Sequence, residues 1–301
     1  MPSSRPSLAA SVANLLLASA LAACVGDGPF AITSSGTQEL DAAVAAGPDL
    51  KVRVEMFNGT IEVRAGAPDR IAATVTTSGA GGSKADAEAD RAKIQVSLDV
   101  APDGSVLLRA VYQEDPSSPG NRTASAVVDV PPEAALDLRT SNGNVSTAGI
   151  AGPIRVGTSN GAVRLAAVVG GATVRTSNRE VEIDGSGAFD VETSNAAIVL
   201  RGEGATVRAR TSNASISFEG TLSDAAQSLE TSNESIYLRL PAGSSFGLDA
   251  RTSGGPEVLV QGFDVRTTGA AGEGTLQGTV GVGGPSITLR TSNKAIDVSA
   301  L

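Results

Sequence analysis

From residue 132 onward, apolar and polar positions alternate in short bursts that recur along the chain. An apolar residue stands two places before a Thr at Leu138, Val156, Val174, Val191, Ala209, Leu229, Ala250 and Leu289. A second apolar pair follows that Thr by five and seven places, as in Val163/Leu165, Val181/Ile183, Ile198/Leu200, Ile216/Phe218, Ile236/Leu238 and Ile296/Val298. Alternation with period two on both sides of a polar centre predicts a strand, a turn and a second strand. The centre is itself repeated. Thr-Ser-Asn occurs at 140–142, 158–160, 176–178, 193–195, 211–213, 231–233 and 291–293, with Thr252-Ser253-Gly254 as a degenerate copy. Counting that copy, successive starts are 18, 18, 17, 18, 20 and 21 residues apart, then 39 to the last. Glycine-rich stretches such as Asp184-Gly185-Ser186-Gly187 supply a second turn that closes each unit.

A unit of two short strands and two turns cannot bury its apolar face alone, but stacked units can. The expected fold class is therefore all-β: a parallel β-solenoid (β-helix) of about 18-residue coils over 132–301, each strand pairing in parallel with its equivalent in the next coil. Parallel crossovers are right-handed by default. The 39-residue gap leaves room for one weak coil in 264–290, where Gly-rich sequence could equally form a loop. Residues 49–131 follow a different pattern, with strands expected near 50–56, 60–65, 70–77, 92–100, 105–113 and 124–130. A polar stretch from Ser83 to Arg91 reads as a short helix or loop. This region is expected to be an N-terminal β-rich cap, although Val54 to Val63 fits the coil template with Met56 in place of Thr.

Composition supports thin layered β-structure. Aromatic residues make up only 3%, there is no Trp and no His, and Gly numbers 35. The core must come from Val, Ile, Leu and Ala, while a hydrophobic fraction of 41% is too high for wholesale disorder. A net charge of −9 argues against nucleic acid as a partner and provides no polybasic patch for anionic lipid.

The N-terminus points to the cell envelope. Arg5 is the sole charge before an apolar stretch from Leu8 to Ala23, which ends in Leu21-Ala22-Ala23-Cys24. A short positive segment, an apolar segment too short to span a membrane and small residues at a cleavage point describe a signal peptide, here 1–23. The last four residues match the bacterial lipobox, so Cys24 is the expected site of lipid attachment. Cys24 is the chain's single cysteine, which excludes disulfides and Cys-based metal sites. Residues 24–48 are expected to be the lipidated Cys and a flexible tether. The expected location is the bacterial envelope, lipid-anchored, and the outer membrane if the host is Gram-negative, since Val25 does not look like an inner-membrane retention signal.

The repeated turn residues carry a structural and a functional reading. Asn142, Asn160, Asn178, Asn195, Asn213, Asn233 and Asn293 can form a side-chain amide ladder from coil to coil, and Asn tolerates a left-handed turn. An inward Thr can satisfy a turn backbone group through its hydroxyl. The alternative is a ligand-binding face, as in flat Thr arrays that bind ordered surfaces such as ice. The outward neighbours Arg139, Arg175, Glu192, Arg210, Glu230, Arg251 and Arg290 are charged and irregular in sequence, which favours a solvated face. With no His and no second Cys, His triads, Cys nucleophiles and Cys/His zinc sites are excluded, and no cofactor is implied. Carboxylates such as Asp297 with Glu180 stay open as a glycosidase-type pair.

The repeat resembles the bacterial putative-adhesin domain family of envelope β-solenoids. The resemblance rests on Phe57-Asn58-Gly59-Thr60-Ile61-Glu62-Val63 and on the Val/Leu-x-Thr-Ser-Asn-Gly-x-Val units at 138–145 and 156–163. It implies an adhesion or scaffolding role at the envelope and brings no catalytic residues. The function expected is thus a non-catalytic interaction scaffold, held to the membrane by its N-terminal lipid, with an envelope protein or polysaccharide as partner. An envelope-stress accessory or sensor is the alternative, and a carbohydrate-active β-helix enzyme ranks third.

Overall fold

A computed structural model of the chain describes residues 13–15, 32–45, 47–113, 122–254 and 257–301. Cys24 and Val25 lie outside the described residues, as does most of the expected signal peptide.

The chain is a parallel β-solenoid. Two sheets run along the rod, and each coil contributes one strand to each. Through the middle the order is that of the sequence. Ala135–Arg139, Ile154–Gly157, Ala172–Arg175 and Ala188–Glu192 pair in parallel along one sheet. Val145–Ala148, Val163–Val168, Val181–Gly185 and the first part of Ile198–Arg210 do so along the other. The strand Ile198–Arg210 bends across a turn and serves both sheets. Two further coils, 206–222 and 227–240, continue the run.

At both ends the threading leaves sequence order. The coil built from Lys51–Glu55 and Ile61–Ala65 sits between 135–148 on one side and Val106–Tyr112 with Thr123–Val130 on the other. At the far end, Ser286–Thr291 and Ile296–Ala300 insert between the 227–240 coil and the coil of Phe246–Thr252 and Val258–Gln261. The degenerate Thr252-Ser253-Gly254 therefore belongs to the terminal coil in space, although the last full repeat follows it in sequence. Among the described residues ten coils result, and at about 4.8 Å per step the stack is about 43 Å long.

Antiparallel strands cover the ends. Arg70–Gly81 pairs with Thr123–Val130, Ile32–Ala43 pairs with Arg70–Gly81, and Ile94–Val100 pairs with Val106–Tyr112. The strand Ile32–Ala43 falls in the expected tether, and the coil at 51–65 falls in the expected cap. Alternating burial along Glu39 to Ala43 gives that strand a reason to pair, because Leu40 and Ala42 are buried. Helix Lys84–Arg91 joins the two covered sheets, its N-terminus capped by Ser83, whose hydroxyl accepts from the Asp86 amide. At the opposite end, residues 264–290 form no coil of their own. Val265–Gly272 and Thr275–Val280 make an antiparallel hairpin against Phe246–Thr252. Phe263 packs edge-on against Phe246 at 5.5 Å.

The core is the narrow space between the sheets. Leu138, Val174, Val191, Leu229 and Leu289 from one side, and Val163, Val181, Ile198, Ile216, Ile236 and Ile296 from the other, are buried. The largest buried rings are Phe189, Phe218 and Phe246. Phe218 sits in the coil that presents the small Ala209, a size compensation that keeps the layer filled.

Candidate functional site

The repeated polar residues meet one another. The side-chain amide of Asn160 donates to Asn142 at 2.5 Å, Asn178 to Asn160 at 2.6 Å and Asn195 to Asn178 at 2.8 Å. Asn213, Asn233 and Asn293 each donate to the preceding rung at 2.7 Å, and Asn142 donates to Asn58. Asn58 is thus an eighth rung that the Thr-Ser-Asn pattern did not reveal, its signal being the coil-like Asn58-Gly59-Thr60-Ile61 that follows Met56. The 39-residue gap before Asn293 closes because its coil packs directly on that of Asn233.

Left-handed backbone explains only one of these asparagines. Asn58 has φ 50°, and it is the sole Asn among the described residues with positive φ. The other rungs turn within the ordinary region, so what the repeat requires of Asn there is its amide. Backbone groups stack as well: the Asn160 N–H donates to Ser141 O at 3.1 Å and the Asn213 N–H to Ser194 O at 3.0 Å.

The inward threonines are consumed in the same way. The hydroxyl of Thr140 donates to Gly59 O at 2.8 Å, Thr231 to Ala214 O at 2.8 Å and Thr291 to Glu234 O at 2.8 Å. All three are buried. Each satisfies the backbone carbonyl after the Asn of the neighbouring coil. These hydroxyls point into the rod and present no flat array to solvent.

The charged positions that look irregular in sequence become ordered in space. Across the coils, the residue between the apolar residue and Thr reads Arg109, Glu55, Arg139, Gly157, Arg175, Glu192, Arg210, Glu230, Arg290, Arg251. Signs alternate through most of this row, and the out-of-order coil is what places Glu55 between Arg109 and Arg139. A second row two residues earlier contributes Asp137, which pairs with Arg139 at 3.0 Å, and Asp190, which pairs with Arg175 at 2.9 Å. Arg175 also reaches Glu192 at 3.2 Å. On the other sheet Glu182 bridges Arg164 at 3.0 Å and Arg201 at 2.8 Å. Those two guanidinium groups, Arg201 foremost, hold the Glu182 carboxyl below the usual carboxylate range. Arg290 does the same to Asp249.

The pair Asp297 and Glu180 does not come together. Asp297 stacks on Tyr237, Ser217, Val199 and then Glu182, four coil steps from the coil of Glu180. At about 4.8 Å per step that is about 19 Å, well beyond the spacing at which two carboxyls can share a glycosidic bond.

Two contiguous grooves, each of about 600 Å³, lie on the outer face of the sheet that carries this charged row. One is walled by Val100, Leu107 and Pro153 beneath Lys51, Arg53 and Arg155. The other surrounds Gly157 and is lined by Arg139, Arg155, Thr173 and Arg175. Asp137, Arg155 and Thr173 are common to both. Gly157 is not among the charged neighbours that the sequence singles out. Its signal in the sequence is the missing charge at that place.

No protein-family profile matches the chain, and no curated protein does. Among solved structures, the chain is similar to a putative adhesin from Bacteroides fragilis NCTC 9343, with TM-score 0.34 and 11% identity over 92% of this chain and 100% of that one. It is also similar to a putative cell adhesion protein from Clostridium sporogenes ATCC 15579, with TM-score 0.27 and 10% identity over 88% of this chain and 100% of that one. Likeness at this level carries no argument for function, and the solenoid stands on its own strand pairing.

Proposed function

We propose that this protein is a non-catalytic adhesion or interaction rod of the bacterial envelope, anchored by lipid at Cys24. The observation that carries the reading is the use made of the repeated polar groups. Asn amides and Thr hydroxyls bond to neighbouring coils and build the rod, and most carboxylates of the charged row are held in ion pairs, so these groups are not free to act on a substrate. What remains is a long, rigid, charged face with an open double groove, a shape suited to holding a partner.

The test is a pull-down from native envelope with the lipidated protein, beside a Cys24→Ala variant. The expected result is a specific protein or polysaccharide partner that is depleted in the variant. Co-purification of a membrane regulator would move the assignment to an envelope-stress accessory. Recovery of no partner by a folded rod would overturn the interaction role.

A further inference from the structure

From Arg109 to Arg290 the alternating row fails at one coil. Gly157 lies in register between Arg139 and Arg175, where Glu55 and Glu192 stand between arginines elsewhere. In the second row, Arg155 lies in register between Asp137, which pairs with Arg139, and Thr173. Two adjacent squares of the pattern thus lack an acid. A Cβ at Gly157 would meet nothing within 4 Å, so the square is open space. Arg155 at its edge is exposed and has no ion-pair partner among the described residues.

We propose that an acidic polysaccharide supplies the missing anion: a uronate carboxylate sits over Gly157, held by Arg139, Arg155 and Arg175. Guanidinium groups recognise carboxylates through paired N–H donors, which suits this cluster. The surroundings favour a sugar over an acidic peptide. Thr173, Ser159 and Ser177 bring hydroxyls to the notch, and the adjoining groove continues the track past the aliphatic wall of Leu107 and Pro153. Arg139 and Arg175 keep Asp137 and Asp190 as ion-pair partners, so Arg155 is the cation with charge to spare, and Lys51 and Arg53 in the adjoining groove add to it. The inference deepens the interaction reading by naming the partner class.

The experiment is titration of the full chain at low salt with polygalacturonate oligomers, with dextran and polyglutamate of matched length as controls. Polygalacturonate is expected to bind, dextran not, and polyglutamate at least tenfold more weakly. Arg155→Gln should weaken binding about tenfold, the scale of one charged hydrogen bond. Gly157→Glu should abolish it, because the protein's own carboxylate then fills the square, with a melting temperature equal to or above that of the native chain. Gly157→Ala, which adds one methyl to open space, should stay within about twofold of native. The proposal falls if polygalacturonate does not bind, if polyglutamate binds as well, or if Gly157→Glu binds like the native chain. A partner recovered from envelope despite any of these results would leave the interaction reading standing and remove only this one.

Discussion

The middle of the rod and its ends solve the same stacking problem with different means. Between 135 and 240 each coil lies on its sequence neighbour, and like residues meet, as in Val on Val and Asn on Asn. At the ends, coils 51–65 and 286–300 are threaded between others, and non-repeating elements close the stack. The contrast teaches that repeat chemistry specifies which surfaces are compatible without specifying which coil is next. Most coils offer the same pleat, Thr and Asn, and those that depart from it, with Met56 in place of Thr or Gly254 in place of Asn, lie toward the ends. Chain order at the ends is therefore set by the covers: the helix and hairpins at one end, the 265–280 hairpin at the other.

The largest expected effect follows from breaking the N-terminal cover. Asp90, nearly buried on helix Lys84–Arg91, accepts from Arg122 Nε at 2.7 Å, from the Tyr112 hydroxyl at 2.7 Å and from the Ala80 amide at 3.1 Å. Arg122 also lies over the Tyr112 ring at 4.4 Å. Removing one partner of such a pair leaves a desolvated charge, so Asp90→Ala should cost about 3 kcal/mol in denaturant unfolding. Bonding to Arg122, then to Tyr112 and the Ala80 amide, outweighs burial and lowers the Asp90 carboxyl to about 2. A folded-state value below the unfolded value of about 3.9 stabilises the fold above pH 4. That contribution, on the order of 2 kcal/mol, disappears as pH falls toward 2. Asp90→Ala should flatten this acid limb of the stability curve, measured by urea midpoints from pH 6 to pH 2.

A smaller effect is expected where an end coil meets the regular run. A Cβ on Gly143 would lie 1.7 Å from Gly59 O, and one on Gly161 would lie 1.7 Å from Gly143 O. Later coils carry Ala196, Ala214 or Glu234 at the same place after Asn, so this close approach belongs to the N-terminal coils alone. Gly143→Ala should cost about 2 kcal/mol by forcing the coils apart. Equal stability would mean that the two coils do not pack as closely as described.

The sequence made the middle of the rod legible and the ends only partly so. Alternation located the strands, including those at 94–100, 106–112 and 123–130, because burial on one face leaves a period of two wherever it occurs. Thr-Ser-Asn located the ladder because an amide stack needs the same residue at each rung. Threading was hidden, since parallel pairing in a repeat depends on local chemistry that all coils share. The Asp90–Arg122 latch was hidden too, joining residues 32 apart with no period. Gly157 was hidden for the opposite reason: it is defined by what neighbouring rungs have and it lacks.

The ladder itself gives a comparison of about 1 kcal/mol. Asn178 donates to Asn160 and accepts from Asn195, whereas Asn293 donates to Asn233 and faces a coil with Gly254 at the equivalent turn. Each exposed amide bond contributes about 0.5–1 kcal/mol. Asn178→Ala should therefore cost about twice what Asn293→Ala costs, by thermal or urea unfolding. Equal costs would show that the turn backbone, with its own coil-to-coil bonds, holds the register and the amides only follow it.

The smallest effect is expected from the charged row, and its smallness is informative. Glu192 pairs with Arg175 at 3.2 Å, but both side chains are largely exposed. Such pairs contribute little because water solvates each ion nearly as well as the partner does. Glu192→Gln should shift stability by less than about 0.5 kcal/mol, and the difference should vanish at about 1 M salt, where screening is nearly complete. The same variant should act more visibly on association. Charge on exposed β-structure guards against edge and face pairing. Removing Glu192 takes one of two carboxylates away from Arg175, which stands beside Gly157, so it should strengthen binding of polygalacturonate at low salt while leaving folding almost untouched. A stability loss of 2 kcal/mol would instead make the row part of what holds the coils together, and the contrast between a rod built by Asn and Thr and a face tuned by Arg and Glu would collapse.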